Sequence, residues 1–145
     1  MKKISMLFVL LWSMASANTI EANVLAVQAN GSKGAYRFAV TVKSTETGCE
    51  QYADWWEVLS VDGTLLYRRI LVHSHPTTQP FTRSGSTVDI NKYDTVYVRA
   101  HMNKEGYVGQ VMVGSVAKGF EKMKSGKEFS KAIETQDPLP TGCLF

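Results

Sequence analysis

From Ile20 to Val116 the chain alternates short strand-like runs with turn-forming residues at fairly regular spacing. That rhythm restricts it to an antiparallel sandwich or barrel, because period-2 runs bounded by glycine and asparagine turns bury one face at a time. The runs are "IEANVLAVQA", "AYRFAVTVK", "DWWEVLSV", "TLLYRRILV", "STVDI", "TVYVRAHM" and "YVGQVMVGSV". Seven strands are expected. The separating "NGSKG", "DG" and "NKEG" supply residues that tolerate positive φ in tight reversals.

Asp62 and Gly63 set a register. If they form a two-residue hairpin loop, one surface pairs Val61 with Thr64, Leu59 with Leu66, Glu57 with Arg68 and Trp55 with Ile70. The other surface pairs Val58 with Tyr67 and Trp56 with Arg69. Glu57 and Arg68 then form a cross-strand ion pair, and Arg69 can stack on Trp56. Leu59, Leu66 and Ile70 lie on the Trp55 side, so Trp55 is expected to point into the core. Both surfaces carry large apolar groups, so either the C-terminal tail covers the second face or that face binds something.

After Val116 the composition turns to lysine and glutamate. Ser125 followed by Glu128 reads as a capping box, and Phe129 with Ile133 as an apolar i, i+4 stripe, which together predict a short helix over 126–134. Pro138 and Pro140 stop it and extend the tail toward Cys143.

The first residues have the parts of a secretory signal: Lys2 and Lys3, an apolar stretch from Ile4 to Met14, and small residues Ala15, Ser16 and Ala17. The expected organisation is a signal peptide over 1–17 and a single domain over 18–145. The apolar stretch is shorter than the roughly 20 residues that span a bilayer, so no membrane span is expected after cleavage. No cysteine near the cut offers an acceptor for lipid. Loss of Lys2 and Lys3 takes the formal charge from +3 to +1, which removes any footprint for nucleic acid.

Export, to the periplasm or beyond the cell, puts both cysteines where disulfides persist. The simplest pairing is Cys49 with Cys143, with a reactive thiol or an intermolecular bridge as rival readings. A bridge closing a loop of about 95 residues corresponds to roughly 4 to 5 kcal/mol in the chain-entropy estimate.

The three histidines are the obvious candidates for chemistry. In "HSHP", His73 and His75 lie two apart and point the same way on an extended strand, and His101 is expected on the same sheet surface. Together they could ligate copper or zinc. Against this, Pro76 breaks the strand and two nearby arginines repel a cation, so the alternative is a loop whose histidines hydrogen-bond locally. No catalytic residue is expected: there is no Gly-x-Ser-x-Gly elbow, Ser84 has no evident histidine and carboxylate partners, and Asp54 and Glu57 point to opposite faces of a strand. Trp56, Tyr67, Arg69, Tyr97 and Arg99 fall together on one expected face. These residue types concentrate at interface hot spots, so this face is the candidate binding surface for a protein or small-molecule ligand.

The stretch "VYVRAHMNKEGYVG" resembles the last hairpin of fibronectin type III and other immunoglobulin-like domains. That likeness implies a mainly β, immunoglobulin-like antiparallel β-sandwich, here with a short C-terminal helix and one disulfide. "TGCEQYADWWEVLSVDGTLLYRRILVHSHPTTQPFTRSG", with "VYVRAHM" and "PLPTGC", resembles a family of uncharacterised exported bacterial proteins. It implies export and one compact domain, and no activity comes with it. Taken with the residues, the expected role is a non-enzymatic binding or envelope-structural module.

Overall fold

The computed structural model describes residues 18–124 and 127–144. The expected signal peptide and the Ser125 half of the expected capping box lie outside the described residues.

Among the described residues, eight strands form two antiparallel sheets. The chain runs through β1 (Ala22–Ser32), β2 (Ala35–Ser44), β3 (Ala53–Ser60), β4 (Leu65–Ile70), β5 (Phe81–Val88), β6 (Val96–Met102), β7 (Val111–Ser115) and β8 (Gly119–Met123). One sheet has the order β1-β2-β5 and the other β4-β3-β6-β7-β8. Alternation works as the sequence suggests on the inner faces: Val24, Phe38, Val40 and Val42 from the first sheet meet Trp56, Val58, Val98 and Ala100 from the second in one core. Gly85 of β5 sits where any side chain would strike the rings of Tyr67 and Trp56, which lets the two sheets close over the large indole.

The β3–β4 register is the expected one where it matters: Trp55 faces Ile70, Trp56 faces Arg69, Glu57 faces Arg68 and Val58 faces Tyr67. It is reached by another route. Ser60 and Thr64 pair around a three-residue turn, Leu59 faces Leu65 instead of Leu66, and a bulge then restores the offset. One extra loop residue and one extra strand residue compensate each other.

Three expectations need correction. An eighth strand, β8, follows "SVAK" and pairs along β7; its lysine and glutamate side chains suit a sheet edge facing water. Trp56, not Trp55, points between the sheets, and Trp55 lies on the outer face of the second sheet; both are buried. The C-terminal helix is a 3-10 turn over Lys131–Thr135, preceded by Ser130 in the left-handed conformation at φ 47°.

That last difference has a local cause. In an α-helix the Ile133 N–H would bond to the Phe129 carbonyl. Arg99 takes that carbonyl, and Ile133 bonds instead to Ser130 at 3.2 Å. The tail therefore lies across the outer face of the second sheet as a third layer. Its end is fixed by the Cys49–Cys143 disulfide, 94 residues apart in sequence, and by the Leu144 N–H donating to the Val72 carbonyl at 2.6 Å. At its start, the Ser130 side chain sits against Gly63, whose φ of +85° and lack of Cβ the close approach requires. Among the described residues, no helix is long and apolar enough to cross a membrane.

Replacing Cys49 and Cys143 together by serine is expected to lower unfolding stability by about 2–5 kcal/mol and to open the tail to trypsin at Lys127 and Lys131. Urea unfolding and limited digestion measure both. An unchanged midpoint and digestion pattern would mean that the non-covalent contacts hold the tail alone.

Candidate functional site

The outer face of the second sheet carries most of the buried charge. Register places Arg68, Glu57 and Arg99 side by side on β4, β3 and β6. Glu57 is fully buried, receiving Arg68 at 2.7 Å and Arg99 at 2.8 Å on its two carboxylate oxygens. The guanidiniums turn their remaining donors outward. Arg68 donates to the carbonyls of Ile133 at 2.8 Å, Pro138 at 3.1 Å and Gln136, and Arg99 to those of Ser130 at 3.3 Å and Phe129. Arg68 also lies 4.4 Å over the Trp55 ring and Arg99 3.4 Å over the Tyr107 ring. The expected Glu57–Arg68 pair is thus present, while the cation–ring stack on β3 is Arg68 over Trp55.

One row along, His101 pairs with Trp55 and stacks on it at 3.5 Å. A bulge at Asp54 swings its carboxylate toward the same face, 2.6 Å from His101 Nδ1. Glu134 from the tail meets Nε2 at 2.8 Å. Burial raises the Asp54 pKa, against the opposing effect of the His101 hydrogen bond and charge. Burial, then the Glu57 charge, also pushes the Tyr107 phenol far above its usual range, so it stays protonated. The two carboxylates approach opposite edges of the imidazole. Such a geometry clamps the ring and its tail partner, and offers no common point for a metal ion.

His75 is elsewhere. It is buried after β4, stacked 3.9 Å from the Phe81 ring, with Nε2 2.8 Å from Arg83 and its backbone N–H on Glu46. His73 is exposed, and its backbone bridges to Leu144. Among the described residues, no three His, Cys, Asp or Glu side chains are arranged to hold a metal ion.

The five residues of the candidate binding surface divide between two faces. Trp56 is completely enclosed in the core with Tyr67 packed on it, and Arg99 is buried under the tail. Tyr97 packs on Phe129 of the tail at 4.9 Å, and Arg69 is exposed. An open surface with a cavity and exposed apolar groups lies at the end of the sheets, between the β3–β4 turn and the β5–β6 connection. There a cavity of about 450 Å³ is bordered by Val61, Leu66, Ile90 and Tyr93, with Asp89 and Asp94 at its rim. Val61 is 60% and Tyr93 67% exposed, and Lys92 lies 4.9 Å over the Tyr93 ring. Sequence reasoning passed over this site because its residues come from three separate segments, and only exposed Tyr93 in "NKYDT" hinted at it.

No family model matches the chain, and no solved structure matches it. A curated protein of Halomicrobium mukohataei described as "Putative lipoprotein" is similar: it is 43% identical over 101 residues, 68% of this chain. The chain spans about half the length of that relative, 49%.

Glu57→Gln is expected to cost about 3–5 kcal/mol in chemical unfolding, because it leaves two buried guanidiniums without their anion. Glu50→Gln, which breaks only the exposed pair with Lys104, should leave the midpoint in place. Equal effects of the two substitutions would show that the buried row carries no special share of stability.

Proposed function

We propose that the chain is an exported binding module of immunoglobulin-like architecture that recognises its ligand at the loop end of the two sheets. The observation that carries this reading is the cavity between the β3–β4 turn and the β5–β6 connection, with Val61 and Tyr93 exposed at its edge. Loops on a rigid sheet scaffold are where such domains place recognition, and a concave apolar site with a few polar groups is the usual form of a ligand pocket. The ligand would offer an apolar face to Tyr93 and donors to Asp89 and Asp94.

Strand order supports the architecture. β1, β2 and β5 share one sheet and β3, β6 and β7 neighbour each other in the second, as strands A, B, E and C, F, G do in immunoglobulin domains. The disulfide and the similarity to a protein described as a lipoprotein support an extracytoplasmic location, periplasmic or secreted. This chain's two cysteines are joined to each other, so neither thiol is free to carry a lipid. The reading does not rest on a role for copper or zinc on His73, His75 and His101; elemental analysis of protein from its native compartment tests that separately.

Arrays of immobilised glycans and peptides, probed with the chain and with Tyr93→Ala, test the binding site. Ligands that lose at least about tenfold in affinity with Tyr93→Ala, at unchanged unfolding midpoint, are the expected outcome. Ligands that bind both proteins equally would place recognition elsewhere.

A further inference from the structure

Just beyond β4 lies a smaller cavity, about 50 Å³, lined by Arg69, His73, His75 and Arg83 over the aliphatic chains of Ile70 and Leu71. It is roomier than one water requires and far too small for a sugar or peptide. Among the described residues, every ionisable side chain lining it is basic and no carboxylate is part of the lining. Glu46, whose buried carboxylate lies 3.9 Å from His75 Nδ1, is already occupied. Its Oε1 accepts from the Ser44 hydroxyl at 2.6 Å and the Ala53 N–H at 3.2 Å, and its Oε2 from the His75 N–H.

Half of this lining is fixed in place. His75 is stacked on Phe81, and Arg83 is held by the Thr82 carbonyl at 2.8 Å and by His75 Nε2 at 2.8 Å. Because a guanidinium can only donate, His75 Nε2 accepts and its proton sits on Nδ1, which is buried without a hydrogen-bond partner. Arg69 and His73 are exposed across the opening. Two guanidiniums lining so small a space repel one another unless something negative lies between them, and their forked donors suit the oxygens of a phosphate or sulfate group.

We propose that this pocket binds one tetrahedral oxyanion, a phosphate or sulfate group, between the Arg69 and Arg83 guanidiniums with His73 closing the opening. The arginines that disfavour a metal ion on the His-x-His pair are then its reason for being there. Burial lowers the His75 pKa from its ordinary 6.5, Glu46 raises it, and Arg83 and His73 lower it further. An anion seated beside the ring adds an opposing charge, so occupancy raises that pKa.

Calorimetric titration of inorganic phosphate into the full chain, with sulfate in parallel, reads binding directly. Sedimentation with phosphatidylglycerol vesicles asks whether the group is carried on a lipid headgroup. Saturable one-to-one binding is expected, weakened about tenfold or more by Arg69→Gln and by Arg83→Gln. Histidine NMR should show the His75 titration moving to higher pH as phosphate saturates. Arg69 is exposed, and an unchanged unfolding midpoint for Arg69→Gln separates loss of the site from loss of the fold. Vesicle binding without free-phosphate binding, abolished by Arg69→Gln, assigns the pocket to a headgroup phosphate. No binding of either form, or binding that both substitutions leave unchanged, overturns the proposal.

Discussion

Glu57 is the anion on which the outer face of the second sheet depends. A carboxylate with no exposed surface is unfavourable unless both oxygens are compensated, and here two guanidiniums on neighbouring strands do so. The arginines are in turn under-compensated by a single acid. Their spare donors find main-chain carbonyls of the tail, five of them from Phe129 to Pro138. Buried charge on the sheet and irregular backbone in the tail thus satisfy each other, and neither would be stable without its counterpart.

That reciprocity explains why the tail is not a helix. Arg99 occupies the Phe129 carbonyl that Ile133 would use in an α-helix, and the left-handed Ser130 breaks the helical path. The Ser130 and Ile133 carbonyls each accept both a backbone N–H and a guanidinium. Phe129 against Tyr97 and Glu134 against His101 add an apolar and a polar anchor, and the disulfide confines the end. The third layer is held by main-chain recognition at several points. Its side-chain sequence can therefore look unremarkable, lysine-rich and proline-broken, while its position is closely specified.

The pairing of Glu57 with Arg68 was legible because Asp62-Gly63 marks a turn and the two side chains are complementary. The two-residue loop expected for it was not, and the match depends on a longer turn offset by a bulge. The direction of the two tryptophans was not legible either. Alternation tells which residues share a face, and it tells inside from outside only when one face is polar; with Trp55 and Leu59 on one face and Trp56 and Val58 on the other, the pattern has no sign. The wrong sign put Trp56 on the candidate binding surface when it lies in the core, and it joined Trp56 and Tyr67 to Tyr97 and Arg99, which lie on the opposite face. Cys49 with Cys143 was open to simple arithmetic on two cysteines in a chain whose first residues read as an export signal. The carbonyl partners of Arg68 and Arg99 were invisible, since backbone acceptors carry no residue identity. Asp54 was misjudged for a related reason: a bulge breaks the alternation that had set it opposite Glu57.

Electrostatic context also changes what the histidines mean. Three imidazoles in a short β protein suggest metal ligation only while their neighbours are ignored. His101 lies between two carboxylates and is fastened by them, whereas His75 lies against a guanidinium and has no carboxylate on its ring within hydrogen-bonding distance. Burial draws the His75 imidazole toward its neutral form, and Arg83 and His73 add to that effect against Glu46. A local concentration of Arg69, Arg83 and His73 around a neutral, buried imidazole leaves positive charge in excess at one small opening. The spacing of "HSHP" permits a metal, but the arginines beside it select for the opposite sign of ligand.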